Sequence, residues 1–271
     1  MKEQDVKKIV RKKYARVAKR VSSSCGSAQS CCGSTERAQA VSENMGYTEQ
    51  EIKAVPEGAN LGLGCGNPTA IASLQEGETV LDLGSGAGFD CFLAAQKVGK
   101  NGKVIGVDMT PEMIDKAREN AQKDNYPQVE FRLGEIEHLP AADNSIDVVI
   151  SNCVINLAPD KKQVLKETYR VLKPGGRLSI SDLALRRQLP AKIRENVEAY
   201  VGCIAGAVLI DEYKRIVKET GFNDIKFTVN DASSSDDADA RARAEKALSL
   251  KPEEYDALDA AVASVYIEAR K

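Results

Sequence analysis

Three glycines at alternate positions are the first residues whose types and spacing suggest chemistry. They lie in the stretch Asp82-Leu-Gly-Ser-Gly-Ala-Gly88. Glycines between a strand and a helix let backbone N–H groups and the helix N-terminus approach a ligand, because no Cβ blocks the way. A dinucleotide fingerprint requires the spacing G-x-G-x-x-G, whereas position 89 here is Phe. The stretch therefore predicts a cofactor loop and disfavours a pyrophosphate as its ligand.

Residues at the ends of the following strands suit the rest of a nucleoside cofactor. Asp108 ends the second predicted strand, where a carboxylate can accept both ribose hydroxyls, and Met109 can pack on a purine. Gly134-Glu135-Ile136 follows the third strand and is placed to meet the adenine, and Asn152 ends the fourth. The candidate cofactor-binding residues are Asp82, Gly84, Ser85, Gly86, Gly88, Asp108, Met109, Gly134, Glu135, Ile136 and Asn152.

Seven cysteines supply the second kind of chemistry: Cys25, Cys31, Cys32, Cys65, Cys91, Cys153 and Cys203. Cys65 lies in a glycine-rich passage, Cys153 follows a strand end, and Cys203 lies beside a glycine after the fifth strand. All three segments can reach one rim of the sheet, and three thiolates converging in a dry pocket suit a soft, thiophilic centre. A free cysteine often only packs, which is the favoured interpretation of Cys91. The spacings lack the paired C-x₂-C pattern of structural zinc.

A substrate group that must lose a proton before it reacts needs a general base, and the chain has a single histidine for that role. His138 lies in a predicted loop beside the adenine position, where a solvated loop residue is favoured over a catalytic base. The chain also has no Trp and only five Phe, so it offers little aromatic surface for a large, flat acceptor.

The elements that position these residues alternate between strands and helices. Strands are predicted at 79–83, 103–107, 129–133, 146–151 and 177–181, with helices at 89–98, 111–124 and 160–172. Residues 36–55 have helical character. Further helices are predicted at 189–202, 211–220 and 251–262, strands at 225–229 and 264–269, and flexible segments at 22–34 and 231–242. The fold class is α/β: a Rossmann-like sheet with helices on both faces, an N-terminal helical extension and a C-terminal α+β region. Predicted domain ranges are 1–74, 75–183 and 184–271.

Net charge and the distribution of apolar residues limit the classes of partner that the chain is expected to bind. The 271 residues carry a net charge of −2, which gives no nucleic-acid footprint overall, and no apolar run is long enough to span a membrane. Apolar residues between Val6 and Val21 recur at helical spacing among many lysines and arginines, predicting a basic amphipathic helix that docks one face on the domain. Membrane-surface or nucleic-acid contact is the lesser alternative for this helix. A cytoplasmic monomer without standing disulfides is expected.

From about residue 75 to 182 the sequence resembles the class I S-adenosylmethionine-dependent methyltransferases. Over most of residues 36–220 it resembles one family among them, the arsenite methyltransferases. The stretches that carry the resemblance are Leu63-Gly-Cys-Gly66, Asp82-Leu-Gly-Ser-Gly-Ala-Gly-Phe-Asp-Cys91, Ser151-Asn-Cys-Val-Ile-Asn-Leu157 and Gly202-Cys-Ile-Ala-Gly-Ala207. The last fifty residues match much less well.

The resemblance implies the chemistry. S-adenosylmethionine would be the methyl donor, and As(III) would be held by Cys65, Cys153 and Cys203. A further cysteine near the N-terminus forms transient disulfides in that family, and either Cys31 or Cys32 occupies the region here. The implied partners are arsenite, entering as a thiol conjugate, and thioredoxin or glutathione as the reductant. Two alternatives stay open: a methyltransferase of another small molecule, such as a quinone, and a non-enzymatic thiol or arsenic sensor.

Overall fold

The central strands of the sheet are runs of aliphatic residues buried on both faces. The computed structural model describes residues 3–22, 32–231 and 238–271. Its strands are β1 (Thr79–Leu83), β2 (Lys103–Asp108), β3 (Val129–Leu133), β4 (Ile146–Asn152), β5 (Leu172–Leu185), β6 (Asn223–Asp231) and β7 (Val262–Arg270). They form one sheet in the order β3-β2-β1-β4-β5-β7-β6.

The helices in the described part of the chain include an N-terminal group, a group between the strands and a C-terminal group. They are α1 (Glu3–Ser22), α2 (Cys32–Asn44), α3 (Glu49–Lys53), α4 (Pro68–Ile71), α5 (Phe89–Val98), α6 (Pro111–Lys123), α7 (Lys161–Val171), α8 (Ala191–Arg194), α9 (Val197–Val201), α10 (Ile210–Glu219), α11 (Ala238–Leu248) and α12 (Pro252–Asp259). No helix among these described residues has the length and apolar character that a bilayer span requires.

Helices cover both faces of the sheet, which confirms the predicted α/β fold class. Leu81 of β1 is level with Val149 of β4, and both belong to a core that includes residues of α7 and α10. Val80 is level with Val148, and both pack on the other face with residues of α5 and α6. Because successive side chains of a strand point to opposite faces, neighbouring residues of β1 serve two separate cores.

One edge of the sheet is antiparallel, a feature that the sequence analysis did not anticipate. β1 to β5 pair in parallel, but β7 pairs antiparallel with both β5 and β6. β5 itself runs to Leu185, across the predicted boundary at 183/184, so the same strand serves both predicted regions. The boundaries at 74/75 and 183/184 remain predictions.

Several predicted elements have different limits in the structure. The helix predicted over 189–202 is two short helices, because Asn196 caps α9 by accepting a hydrogen bond from the Ala199 N–H. The helix predicted over 251–262 ends at Asp259, and β7 begins at Val262, where alternate side chains are buried. Residues 173–176, which precede the strand predicted at 177–181, form a bulge inside β5.

The two predicted flexible segments were placed too broadly. Of residues 231–242, the stretch 232–237 lies outside the described residues, whereas residues from Ala238 onward are the start of α11. Of residues 22–34, the stretch 23–31 lies outside the described residues, and α2 already begins at Cys32. Residues 36–55, predicted as helical, include most of α2 and all of α3, with a turn at Gly46, whose φ is +92°.

Candidate active site

A cavity of about 350 Å³ opens at the carboxyl ends of the central strands. This volume is within the range of small-molecule sites, about 300–1,000 Å³. It is lined by parts of α1, residues 59–65, the loop after β1, the ends of β2 and β4, and residues 134, 136, 137 and 201–203. Ligands of open α/β sheets bind at this edge, so the cavity is the candidate site.

The loop after β1 has the backbone that its glycines allow. Gly86 has a φ of +53°, and a Cβ on it would meet open space, which leaves room for a ligand against the backbone. Gly88 has a different role, because it precedes α5 as its N-cap with a φ of +97° and a Cβ there would lie 2.7 Å from both Phe92 and Phe131. The same residue type thus makes room for a ligand at one position and for close packing at another.

Asp108, at the end of β2, has both carboxylate oxygens fixed by backbone groups. The Gly86 N–H donates to Oδ2 at 3.0 Å and the Thr110 N–H donates to Oδ1 at 2.8 Å. Burial raises the pKa of Asp108, and these two hydrogen bonds oppose that rise. Each oxygen can still accept a second hydrogen bond, which suits a vicinal diol.

A buried acidic network lies beside the glycine loop. The Tyr47 hydroxyl donates to Asp90 at 2.6 Å, and the Asn152 amide donates to Asp90 at 3.2 Å. The Cys91 thiol donates to Asp82 at 3.2 Å. Burial raises the pKa of Asp90 to about 6 and raises that of Asp82 well above its ordinary range. Two carboxyl groups with raised pKa values at one end of a cavity are suited to a ligand that brings a positive charge.

Most of the predicted cofactor residues line the cavity. Those that do are Asp82, Gly84, Ser85, Gly86, Asp108, Met109, Gly134, Ile136 and Asn152. Gly88 and Glu135 are outside the lining: Gly88 packs against two rings, and Glu135 forms an ion pair with Lys7. His138 is exposed and also outside the lining.

Cys65, Cys153 and Cys203 come together at the other end of the cavity. The Sγ atoms of Cys65 and Cys153 and a carboxyl oxygen of Asp182 all lie within 4.8 Å of one another. The Cys203 thiol donates to the backbone carbonyl oxygen of Cys153 at 2.9 Å. The three cysteines are distant in sequence, so only the fold unites them.

The surroundings keep all three thiols protonated at neutral pH. Burial raises the pKa of Cys65. The contact with Cys203 lowers the pKa of Cys153, but the contact with Cys65 and burial outweigh it and raise that pKa well above its ordinary value. The contact with Cys153, together with burial, raises the pKa of Cys203 in the same way.

Two of these cysteines have a backbone conformation that favours glycine. Cys153 has a φ of +55° and Cys203 a φ of +64°. A left-handed residue with a side chain costs about 1 kcal/mol or more, and such strain is often found at functional sites. The Cys153 N–H donates to the Ser181 carbonyl at 2.8 Å, and the Cys65 N–H donates to the Asn152 side chain at 3.0 Å. These two backbone hydrogen bonds fix the positions of Cys153 and Cys65 in the cavity.

Asp182 is a site residue that the sequence analysis missed. It is fully buried and accepts hydrogen bonds from the Leu183 N–H and the Asn156 amide, both at 2.9 Å, and from the Tyr213 hydroxyl at 3.2 Å. Burial raises its pKa to about 7, against the opposing hydrogen bond from Leu183. Asp182 directly follows the strand predicted at 177–181, and no motif in the sequence marked it as a residue of the site.

Helix α1 also contributes to the site. Lys7, Val10 and Tyr14 of this helix line the cavity, and Val10 packs in an apolar cluster with Leu157 and Cys203. The basic side chains of α1 form ion pairs with acidic residues around the site: Lys7 with Glu135 at 2.7 Å and Glu137 at 2.9 Å, Lys13 with Glu198 at 2.6 Å, and Lys19 with Glu112 at 2.9 Å. The amphipathic pattern predicted the docking of this helix but not the surface on which it docks.

The N-terminal thiols predicted as redox partners are not placed. Cys25 and Cys31 lie outside the described residues, and so does the side chain of Cys32, where α2 begins. The helix itself packs beside the segment that leads to Cys65, because a Cβ on Gly62 would lie 3.0 Å from Ala38 Cα of α2. Gly62 is close in sequence to Cys65.

The comparison with protein families agrees with the fold. A family model described as a methyltransferase domain matches residues 74–221, from the segment before β1 to the residue before Phe222. This range contains the glycine loop, Asp108 and two of the three clustered cysteines, Cys153 and Cys203. Sheet order, cofactor loop and family model together define the chain as a methyltransferase of class I fold.

Individual relatives indicate which family of methyltransferases the chain resembles. The chain is 51% identical to an arsenite methyltransferase of Halobacterium salinarum over 85% of its own length and 61% of the relative. It is 44% identical to one from Aquipseudomonas alcaligenes, over 59% of its own length and 48% of the relative. A crystal structure of an arsenic(III) S-adenosylmethionine methyltransferase from Chlamydomonas reinhardtii is 34% identical, with a TM-score of 0.59, over 85% of this chain and 72% of that one.

On these grounds the chain belongs to the arsenite methyltransferase family. It spans about half to three fifths of the length of the two curated relatives described above.

Proposed function

We propose that this protein is an arsenite methyltransferase, which transfers methyl groups from S-adenosylmethionine to As(III) held by Cys65, Cys153 and Cys203. The observation that carries the proposal is the meeting of these three cysteines in the cavity that also contains the glycine loop and Asp108. A donor site and a thiophilic acceptor site thus share one enclosure. A methyltransferase for a quinone would have no use for three converging thiols.

The chain offers a matching group for each part of the donor. Asp108 would accept the ribose hydroxyls, and Met109 and Ile136 would pack against the adenine. Asp82 and Asp90 would face the positively charged amino-acid end, where an ammonium group would favour ionisation of both carboxyls. S-adenosylmethionine supplies an electrophilic methyl group to such a site.

The thiol site is suited to arsenic because the exchange of arsenic-bound hydroxyls for cysteine thiolates leaves the net charge unchanged. Arsenous acid, As(OH)₃, reacts with three protonated thiols to give a three-coordinate arsenic trithiolate and three waters. No net charge is then left in a buried pocket, where an unpaired charge would be costly. The complex retains a lone pair on arsenic, so no general base is needed to create the nucleophile, and the exposed position of His138 is consistent with this.

Methyl transfer changes the oxidation state of arsenic, so electrons must be returned. The arsenic lone pair forms the As–C bond, and the electrons of the breaking S–C bond stay with the donor sulfur. Arsenic is then formally pentavalent. Two thiolates restore it to the trivalent state by forming a disulfide, and Cys31 or Cys32 is the proposed partner of Cys65. A dithiol such as thioredoxin, or glutathione, would reset the enzyme in a reducing compartment.

The test is incubation with arsenite, labelled S-adenosylmethionine and a dithiol, followed by separation of the arsenic species. Labelled methylarsenicals are expected from the wild type. Cys153→Ser and Cys203→Ser should each lower their formation about 100-fold or more, because arsenic loses its fixed position. Cys91→Ser is the matched control, since Cys91 contacts Asp82 and not the thiol cluster.

Cys65→Ser, and the joint loss of Cys31 and Cys32, should impair the methylation of arsenite but spare that of monomethylated arsenic, which needs only two thiolates. An absence of labelled arsenicals from the wild type would refute the proposed substrate. Arsenite binding without any cofactor-dependent turnover would support a sensor instead.

A further inference from the structure

One face of α1 lies directly over the two halves of the active site. Lys7, Val10 and Tyr14 follow the helical spacing i, i+3 and i+7, so they share a face, and all three line the cavity. Of the three, Tyr14 has the largest apolar group.

Tyr14 lies between the thiols and the donor-side residues. It packs with the cluster that contains Cys203, Cys153 and Met109. Its pKa is raised well above the ordinary value by burial and by nearby acidic groups, with Cys203, Cys153 and Asp108 foremost among them. The phenol is therefore neutral at physiological pH, and its ring borders both the arsenic position and the ribose position of the proposed function.

We propose that Tyr14 determines how readily arsenic accepts a further methyl group, because its ring forms the wall of the acceptor site that a methylated arsenical must fit against. This inference rests on the proposed function. It names a specificity residue contributed by an element outside the sheet.

The physical argument is the limited space in the cavity. Each methyl group added to arsenic replaces a thiolate bond with a carbon substituent, which must occupy space near the point of transfer. The cavity is only about 350 Å³ and must also hold the donor. One methyl group more or less in an apolar pocket changes discrimination about 10- to 200-fold, so a single ring at the wall is sufficient to separate two successive substrates.

The experiment compares kcat/KM for arsenite with kcat/KM for monomethylated As(III), with a dithiol present. The ratio of the second to the first is expected to rise about 10-fold in Tyr14→Ala. Tyr14→Leu, which keeps apolar packing on the helix, should shift the ratio in the same direction by less. Tyr14→Phe should keep a ratio near that of the wild type, because the ring forms the wall and the hydroxyl does not.

Val6→Ala is the matched control. Val6 is buried in the same cluster and helps to dock α1, but it does not line the cavity. It should lower both kcat/KM values together and leave their ratio unchanged. A ratio that moves equally in Val6→Ala and Tyr14→Ala would overturn the inference in favour of a docking role, and an unchanged ratio in Tyr14→Ala and Tyr14→Leu would overturn it outright.

The failure of this inference is distinct from a failure of the proposed function. A wild type that methylates neither arsenical refutes the proposed function. A wild type that methylates arsenite, with a ratio that Tyr14 does not alter, refutes only the role of Tyr14.

Discussion

The replacement of Asp182 by Asn is expected to change the pH dependence of stability. Asn has the same shape, and its oxygen can accept the hydrogen bonds from Leu183 N–H and the Asn156 amide while its amide donates to Tyr213. The substitution therefore removes an ionisable group from the buried site and keeps its contacts. It tests whether this carboxyl is hard to ionise in the folded protein.

The magnitude follows from the two pKa values. Asp182 has a pKa of about 7 in the folded protein, raised by burial from an ordinary 3.8. The folded state thus keeps the proton to higher pH than the unfolded state, so the free energy of unfolding falls as pH rises from about 4 to about 7 and is constant above that. Each pH unit in this window contributes about 1.4 kcal/mol, which gives about 3 kcal/mol between pH 5 and pH 8. The neighbouring thiols stay protonated throughout, since their pKa values are also raised.

The assay is urea unfolding of the arsenic-free protein at a series of pH values, for the wild type and Asp182→Asn. The free energy of unfolding of the variant minus that of the wild type should increase by about 3 kcal/mol from pH 5 to pH 8 and level off above pH 7. Asp211→Asn is the control, because the Asp211 side chain is 99% exposed and its carboxylate is hydrated in both states. A difference for Asp182→Asn that is flat with pH would refute the reasoning.

Three further predictions concern the thiol loop, the helix and the proton balance. Gly206→Ala should destabilise the protein by about 1–3 kcal/mol in urea unfolding and weaken arsenite binding, because its Cβ would overlap the Asn156 carbonyl oxygen and displace the Cys203 loop. Gly202→Ala, where the Cβ would lie 3.3 Å from Glu198 O, should have a much smaller effect; equal effects would contradict the steric argument. Lys7→Met should destabilise the protein by about 1 kcal/mol at low salt, measured by thermal unfolding, because it breaks the ion pairs with Glu135 and Glu137. This difference should shrink in salt, and the exposed Lys8→Met should show no such dependence. Arsenite binding at pH 7 should take up no net protons when calorimetry is compared between buffers, because the thiols are already protonated; an uptake of about three protons would mean that they are thiolates in the free protein.

The thiol cluster could be predicted from sequence because of its local context. Cys65 is flanked by glycines, Cys203 follows a glycine, and Cys153 follows a strand end, so each was placed on a loop at one rim of a parallel sheet. Ligands of α/β sheets bind at this rim as a general property of the fold class, so the position of the site could be predicted without knowledge of side-chain contacts. The left-handed backbone of Cys153 and Cys203 could not be anticipated, because their residue type gives no sign of it.

Other parts of the site depend on tertiary contacts that periodicity does not encode. The spacing of Val6, Val10 and Tyr14 identified an apolar face on α1, but an apolar face carries no information about the surface that it covers. Gly88 belongs to the same motif as Gly86, yet its missing side chain makes room for Phe92 and Phe131. The antiparallel placement of β7 between β5 and β6 likewise depends on where the chain returns.

The ion-paired position of α1 has a consequence for the timing of catalysis. The helix borders the space beside Asp108 and the space beside the thiols. In the proposed function, the donor and the arsenical would therefore both bind beside this helix. Where an element beside a site must move for ligands to enter or leave, the motion takes microseconds to milliseconds and often limits turnover more than chemistry does. The rate of the whole cycle would then depend on how often Lys7, Lys13 and Lys19 release their acidic partners, and the slow step would be the departure of products.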